Sequence, residues 1–260
     1  MIAKMRPTRR RFLQGLVPAV GAVGLSGCDG LSRSPWFRDF LSSAENLTHG
    51  AQRLVLGEQS LAQEFTEADI SPKFRANGST DPDDATYVEL AANNFADWRL
   101  EVGGLVEKPM AFSLADLRAM PSRTQITRHD CVEGWSCIGK WKGVQLSHVL
   151  DQVKLKPNAR FLVFTCYDEL EKTLDGSGRY YESHNLENAF HPQTILAYDM
   201  NGETLTVPHG APLRLRVERQ LGYKMAKYLK TIEAVESFES YGRGKGGFWP
   251  DRGYEWYAGI

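Results

Sequence analysis

Cysteine is scarce in this chain of 260 residues: there are four, and no two have the Cys-x-x-Cys spacing of a structural zinc site. One of them, Cys28, ends the leader described below. The other three are an odd number, which excludes a complete disulfide framework and leaves at least one thiol free or ligating. Long apolar runs are missing too: nothing after residue 27 approaches the ~20 apolar residues of a membrane span. Internal repeats and low-complexity tracts are absent. Charge of one sign is not in excess, with 31 basic against 32 acidic side chains, and five of the basic ones lie in the leader. Without them 26 basic residues face 32 acidic ones, a net charge of −6. That balance lacks the basic face a general nucleic-acid binder needs.

The first 27 residues read as an export leader. Lys4, Arg6, Arg9, Arg10 and Arg11 precede a mild, glycine-interrupted apolar stretch from Phe12 to Val23, with no acid among them. The Arg-Arg-x-Phe-Leu pattern that takes in Arg10, Arg11, Phe12 and Leu13 resembles the twin-arginine signal. That route carries folded proteins, so it suits a chain that acquires a cofactor before export. Leu25-Ser26-Gly27-Cys28 then matches a lipobox, in which Cys28 is acylated and becomes the first mature residue. Asp29 favours retention at the inner membrane, so the expected place is the periplasm, as a lipoprotein anchored there through Cys28.

Residues 28–85 are polar and proline-punctuated and read as a tether and N-terminal arm, 86–240 as one dense domain, and 241–260 as an aromatic tail packed on the core. Strands are expected at 98–102, 124–127, 160–167, 213–217 and 231–239, and short helices at 113–120, 146–153 and 186–190. The first helix opens with Ser113 and Asp116, a capping box. TILAYDM and ETLTV flank Asn201-Gly202, the pair a type I′ hairpin turn prefers. Strands dominate and helices are scattered, which predicts a mixed, strand-rich α+β domain rather than a doubly wound sheet.

TRHDCVEGWSC, residues 127–137, concentrates reactive groups. Its thiols allow four readings: a Cys131–Cys137 disulfide, a zinc site, a catalytic thiol, or the thiolate seat of another cofactor. No paired His spacing supports zinc. Arg128 and His129, just before Cys131, would lower a thiol pKa and favour a thiolate, as nucleophile or as metal ligand.

Three ordered stretches, RHDCVEGWS, HPQTILAYDMNGETLTVPHGAPLRLRV and GYKMAKYLKTIEAVE, together resemble the molybdopterin-binding domain of the sulfite oxidase family over about residues 87–240. The likeness is to its bacterial periplasmic branch, similar to methionine-sulfoxide reductase catalytic subunits. The resemblance implies a molybdenum–molybdopterin cofactor, the pterin carrying no appended nucleotide, and a molybdenum ligated by Cys131. A soft thiolate suits a sulfur-rich metal centre. The same likeness assigns cofactor contacts to Asn93, Ala96, Asp97, Cys166, His209, Arg214, Met225, Ala226 and Lys227, the last three along a phosphate-holding segment. It sets Tyr180 near the metal as a hydrogen-bond donor and proton relay, with Tyr181 as its neighbour in the alignment.

Departures from that family point to the reaction. Sulfite oxidases carry arginines at the positions of Asn93 and Ser136, and this chain has neither. A dianion pocket stripped of two cations binds its ligand more weakly. CVEGWS instead resembles the reductase branch, with Trp135 as an apolar wall and Glu133 as a candidate proton donor. No Cys-x-x-Cys-His haem motif is present, so electrons are expected from a separate carrier, a membrane b-type cytochrome in the bacterial branch. The expected activity is oxygen-atom transfer, reducing a neutral S- or N-oxide, by a protein monomeric apart from its redox partner. The alternatives are sulfite oxidation or dehydrogenation, and a non-catalytic binding lipoprotein on the same fold.

Overall fold

The computed structural model describes residues 60–260, together with 34–37, 40, 43–44, 47–48 and 50–51. The twin-arginine pattern and Cys28 lie outside the described residues. Two compact units divide the chain, 1–55 and 56–260. In the first, the described residues between 35 and 51 are helical. The second carries two sheets and the site.

One sheet has the order β2-β1-β10-β5-β6. It is built from β1 (Leu100–Gly104), β2 (Met110–Phe112), β5 (Phe161–Glu169), β6 (Arg179–Asn185) and β10 (Leu229–Val235). β1 and β10 run parallel and the remaining pairs antiparallel. The main core lies against it and takes Leu146, Val149, Leu150 and Val153 from α3 (Leu146–Val153). Their i, i+3, i+4, i+7 spacing gives that helix one buried face. α1 (Ala85–Ala92) adds Tyr87, and α2 (Leu114–Ala119) adds Leu117. The capping box of α2 forms as read, with Ser113 N–H donating to Asp116 at 2.8 Å and Asp116 N–H to Ser113 Oγ at 3.1 Å. α4 (Leu186–Ala189) is a single turn that follows β6.

The other sheet has the order β3-β4-β7-β8, with β9 (Arg214–Arg216) pairing to β7 (Ile195–Met200). β3 (Ser122–Cys131) and β4 (Trp135–Gln145) form a long hairpin, and β8 (Glu203–Thr204) returns from the Asn201-Gly202 turn. Both turn residues have positive φ, 53° and 89°, as type I′ requires. A second apolar cluster fills this sheet's inner side around Phe74, Trp141, Ile195 and Ala197.

The expected mixed, strand-rich α+β class is what the structure has. It adds β2, β4, β6 and α1, and β10 starts earlier and ends sooner than expected. β4 escapes strand patterning because Gly139 and Gly143 interrupt it. Gly143 is obligatory there: a Cβ would fall 2.6 Å from the Leu196 carbonyl carbon on β7.

Candidate active site at the tip of the β3–β4 hairpin

β3 ends on Cys131, which pairs with Trp135 at the start of β4. Gly134, at φ 84°, closes the turn by donating its N–H to the Cys131 carbonyl at 3.0 Å. Strand alternation turns Thr127, His129 and Cys131 inward and Arg128 to solvent. Cys131, 9% exposed, opens onto a cleft. One wall is Asn77-Gly78-Ser79; another is Asp168, Leu170 and Tyr180; a third is Gly222, Tyr223, Met225 and Lys227. Trp249 and Tyr254 close it from the C-terminal tail, with Val132 and Glu133 at the hairpin tip. The tail is held by Tyr223, whose hydroxyl donates to the Glu255 carbonyl at 2.7 Å, and by Leu221 N–H donating to the Ala258 carbonyl at 2.9 Å.

Five of the expected site residues meet here: Cys131, Glu133, Tyr180, Met225 and Lys227. Tyr180 donates its hydroxyl to the Tyr223 carbonyl, so its proton is engaged inside the protein. Glu133 is exposed, accepts from Trp135 Nε1 at 2.9 Å and has Arg75 at 3.9 Å. Lys227 Nζ donates to the carbonyls of Asn77 at 2.7 Å, Pro208 at 3.1 Å and Ser79. Behind it, Arg214 Nη1 donates to the His209 carbonyl at 2.9 Å, and Gly210 lets Lys227 and Arg214 approach from both sides.

The other expected residues lie elsewhere. Asn93, Ala96 and Asp97 sit on the exposed turn that ends α1, where Asn93 Nδ2 donates to Asp97 at 2.7 Å. The reason is conformational: Asn94 and Phe95 take φ 54° and 59°, the left-handed region that asparagine tolerates, so NNFAD is a helix stop. The N-terminal contribution to the cleft comes instead from Asn77-Gly78-Ser79. Arg128 points to solvent and pairs with Asp130 at 2.9 Å. Cys166 is buried in the core behind Tyr180, lining a neighbouring cavity, and Ala226 is buried with its carbonyl accepting from Leu215 N–H at 2.8 Å. Ser136 donates to Asp130 at 2.5 Å outside the cleft lining. Cys131, Cys137 and Cys166 are all free thiols, and β-sheet register sets Cys137 opposite His129.

Neither Arg128 nor His129 is among the groups acting on the Cys131 thiol. Burial pushes the Cys131 thiol up in the protein alone. Burial, with Arg216, Arg214 and Lys227 nearby, holds His129 well below the ordinary imidazole range, so it is neutral. Arg216 Nη1 lies 2.8 Å from His129 Nδ1. Since a guanidinium only donates, Nδ1 accepts and the ring proton is fixed on Nε2. Arg216 is itself fixed by Glu218, through Nε at 3.0 Å and Nη2 at 2.6 Å, and Gln125 Nε2 donates to the same carboxylate at 2.8 Å. All of these groups are buried.

His129 Nε2, Trp141 Nε1, His209 Nδ1, and Arg214 Nε and Nη2 are buried with no hydrogen-bond partner among the described residues. They belong to one neighbourhood: Phe74 packs on His129, Trp141 and His209 at 5.3 to 5.8 Å between ring centroids, and Arg214 lies 4.9 Å over Trp141. Burial and Arg216 pull Arg214 down to about 9, so it is still a cation at neutral pH. A buried cation with idle donors, beside further N–H donors, fits an anionic group rich in acceptors. The residues therefore suit a phosphate-bearing pterin, with Cys131 supplying a metal's thiolate, and Arg214, His209 and Lys227 near its anionic end.

Gly222 separates this neighbourhood from the cleft, and a Cβ there would fall within 2.5 Å of His129 Cε1. Gly222→Ala is expected to lower stability by about 1–3 kcal/mol, as an overpacked core does. By displacing His129 it should cost roughly 10²-fold in turnover. Thermal melts and steady-state rates check both.

This fold and site define a buried thiol-and-cation seat for an anionic redox cofactor, opening onto a small aromatic cleft. Residues 87–242 match the oxidoreductase molybdopterin-binding domain. The putative protein-methionine-sulfoxide reductase subunit YedZ1 of Azospira oryzae is 34% identical over 253 residues, 97% of this chain and 88% of that one. Two protein-methionine-sulfoxide reductase catalytic subunits named MsrP are also similar. That of Campylobacter jejuni is 33% identical over 177 residues, 62% of this chain and 59% of its own length, and that of Xanthomonas axonopodis 31% over 234 residues, 88% and 70%. Among solved structures, the sulfane dehydrogenase SoxCD of Paracoccus pantotrophus matches with a TM-score of 0.47 at 27% identity, over 56% of this chain and 41% of that one. The chain belongs to the oxidoreductase molybdopterin-binding domain family, the sulfite oxidase family, and is a molybdopterin-dependent oxidoreductase.

Proposed function

We propose that this oxidoreductase reduces a neutral S-oxide, the methionine-sulfoxide class, in the periplasm. The observation that carries the reading is the charge of the cleft. Among the described residues Lys227 is the one cation in its lining, and its ammonium already donates to three carbonyls. The other walls are Val132, Leu170, Met225, Trp249 and Tyr254, with carboxyl groups at Glu133 and Asp168. A sulfite dianion would meet only Lys227, already engaged, and the exposed Arg75 beside Glu133 at the rim, whereas a sulfoxide presents one polar oxygen and apolar substituents that suit these walls. The bound molybdenum centre supplies two-electron oxygen-atom transfer. The chain's own residues set the substrate against Cys131's side of the cleft.

Arg10, Arg11 and the lipobox ending at Cys28 support export with residues 1–27 removed and 28 onward tethered to the inner membrane. A membrane b-type cytochrome is the electron donor this address favours, acting on a monomer. No described helix is long and apolar enough to cross a membrane. The test is turnover by purified holoenzyme of methionine sulfoxide, dimethyl sulfoxide and trimethylamine N-oxide with reduced viologen, beside sulfite with ferricyanide. Sulfoxide reduction is expected, and sulfite oxidation without it would sink the proposal. Cys131→Ser is expected to lose equimolar molybdenum, its electron paramagnetic resonance signal and turnover together, as metal analysis of exported protein checks.

A further inference from the structure

Asp168 is a lining residue of the cleft, at the end of β5, yet only 3% exposed, and its Oδ1 is buried with no hydrogen-bond partner among the described residues. A carboxylate in that setting is costly, because an ionised oxygen in a dry site needs donors. The groups that face it offer few. Tyr87 comes from α1, Tyr180 from β6, Tyr228 and Lys227 from the segment before β10, and Cys166 from its own strand. Tyr180 donates elsewhere, to Tyr223; Tyr87 donates to the Ala211 carbonyl at 2.7 Å; Tyr228 donates to the Ser79 carbonyl at 2.9 Å. Lys227, the nearest cation, donates to backbone carbonyls. Burial accordingly raises the Asp168 carboxyl above its ordinary range, with Lys227 opposing. Glu133, the other carboxyl of the cleft, is exposed at the rim and accepts from Trp135.

We propose that Asp168 is the acid that stores a transferable proton in the cleft and gives it to the oxygen removed from the bound S-oxide. The inference rests on the sulfoxide-reductase reading above. One sulfoxide, two protons and two electrons give one sulfide and one water, with both electrons from a reducing redox protein. The sulfur–oxygen bond breaks, the sulfur is reduced, and the oxygen leaves as water. Asp168 provides one proton as its O–H bond breaks and is reprotonated by water entering at the mouth. The second proton comes from solvent. Tyr180 acts beside it as a positioning residue, since its hydroxyl is fixed on Tyr223.

Two measurements on the holoenzyme test this. Infrared titration is expected to show a neutral-carboxyl band that persists well above pH 3.8, the ordinary aspartate value, and that Asp168→Asn removes. A band absent at pH 5 overturns the proposal for any substrate. In turnover with reduced viologen, wild-type kcat should fall as pH rises through the Asp168 pKa. Asp168→Asn should lower kcat by roughly 10²-fold, the size of a general acid's contribution. Its KM should stay within about threefold, its pH profile should flatten, and Asp168→Glu should recover part of the rate. An Asp168→Asn enzyme with the wild-type pH profile also overturns it. If wild type reduces no S-oxide but the band is present, the substrate reading fails while Asp168 stands as the stored acid.

Discussion

Arg214→Met is expected to give a folded protein that retains no molybdenum cofactor and melts higher than wild type when both are cofactor-free. Arg214 is fully buried, and of its three guanidinium nitrogens only Nη1 has a partner among the described residues, the His209 carbonyl. Its charge is desolvated without an opposing carboxylate in contact, since the nearest buried one, Glu218, is occupied by Arg216. Removing an uncompensated buried charge in favour of an apolar side chain of similar length stabilises a core, here by on the order of 1–3 kcal/mol after the lost hydrogen bond. For a domain of this size that is a rise of roughly 2–4 °C per kcal/mol. The same change removes the cation that an anionic cofactor would meet, and with it the stabilisation that a ligand bound only to the native state provides. Metal analysis beside melts of both cofactor-free proteins separates the effects. A variant that melts lower and keeps its molybdenum would show that Arg214 is an ordinary core residue.

Arg214 also shows how a site can be legible in sequence for a reason that residue matching does not supply. In LRLRV both arginines fall on one face of a strand, two residues apart, with leucine and valine on the other. All three residues of β9 are buried. Two cations on the inner face of a buried strand need acceptors, so the alternation itself announces an anion or an ion-pair network. Arg216 meets Glu218, two residues further on, and Arg214 keeps Nε and Nη2 without a partner among the described residues. Cys131 is equally readable, because Val-Glu-Gly after it is a hairpin turn with glycine where φ must be positive.

At Asn93 local chemistry and alignment point different ways. Asn-Asn-Phe reads as a contact motif by similarity, but asparagine also ends helices, and α1 uses it so. One wall of the cleft, Asn77-Gly78-Ser79, lies in what reads as a polar arm, where Gly-Ser and DPDD punctuation suggest a surface tether. Only tertiary contacts reveal that Phe74 seats the arm in the second core and that Lys227, 150 residues away, captures Asn77's carbonyl. Asp168 hides in the same way: at the end of an apolar strand it looks like a solvated terminus. The groups that face it include Tyr87 from α1 and Lys227 and Tyr228 from before β10, which no local pattern brings there.

Glu218→Gln is expected to destabilise the second unit by about 3–5 kcal/mol, because it leaves Arg216 buried without its counter-ion. The amide keeps the shape, yet its two N–H donors must face either the Arg216 fork or Gln125 Nε2, both of them donors. By the size scaling of thermal unfolding the melting temperature should fall on the order of 10 °C. The pair as a whole is a different matter. Arg216→Met with Glu218→Leu removes both charges together, and stability should return to within about 1 kcal/mol of wild type. The double variant would still lose the donor to His129 Nδ1, so the imidazole is free to move its proton from Nε2 to Nδ1. Denaturant unfolding reads the stabilities, and nitrogen shifts of the His129 ring read the tautomer. A double variant as unstable as Glu218→Gln would mean that shape, not buried charge, holds this corner. A fully stable one with a mixed tautomer and weakened cofactor retention would mean that the ion pair exists to aim His129 Nε2 at the boundary marked by Gly222.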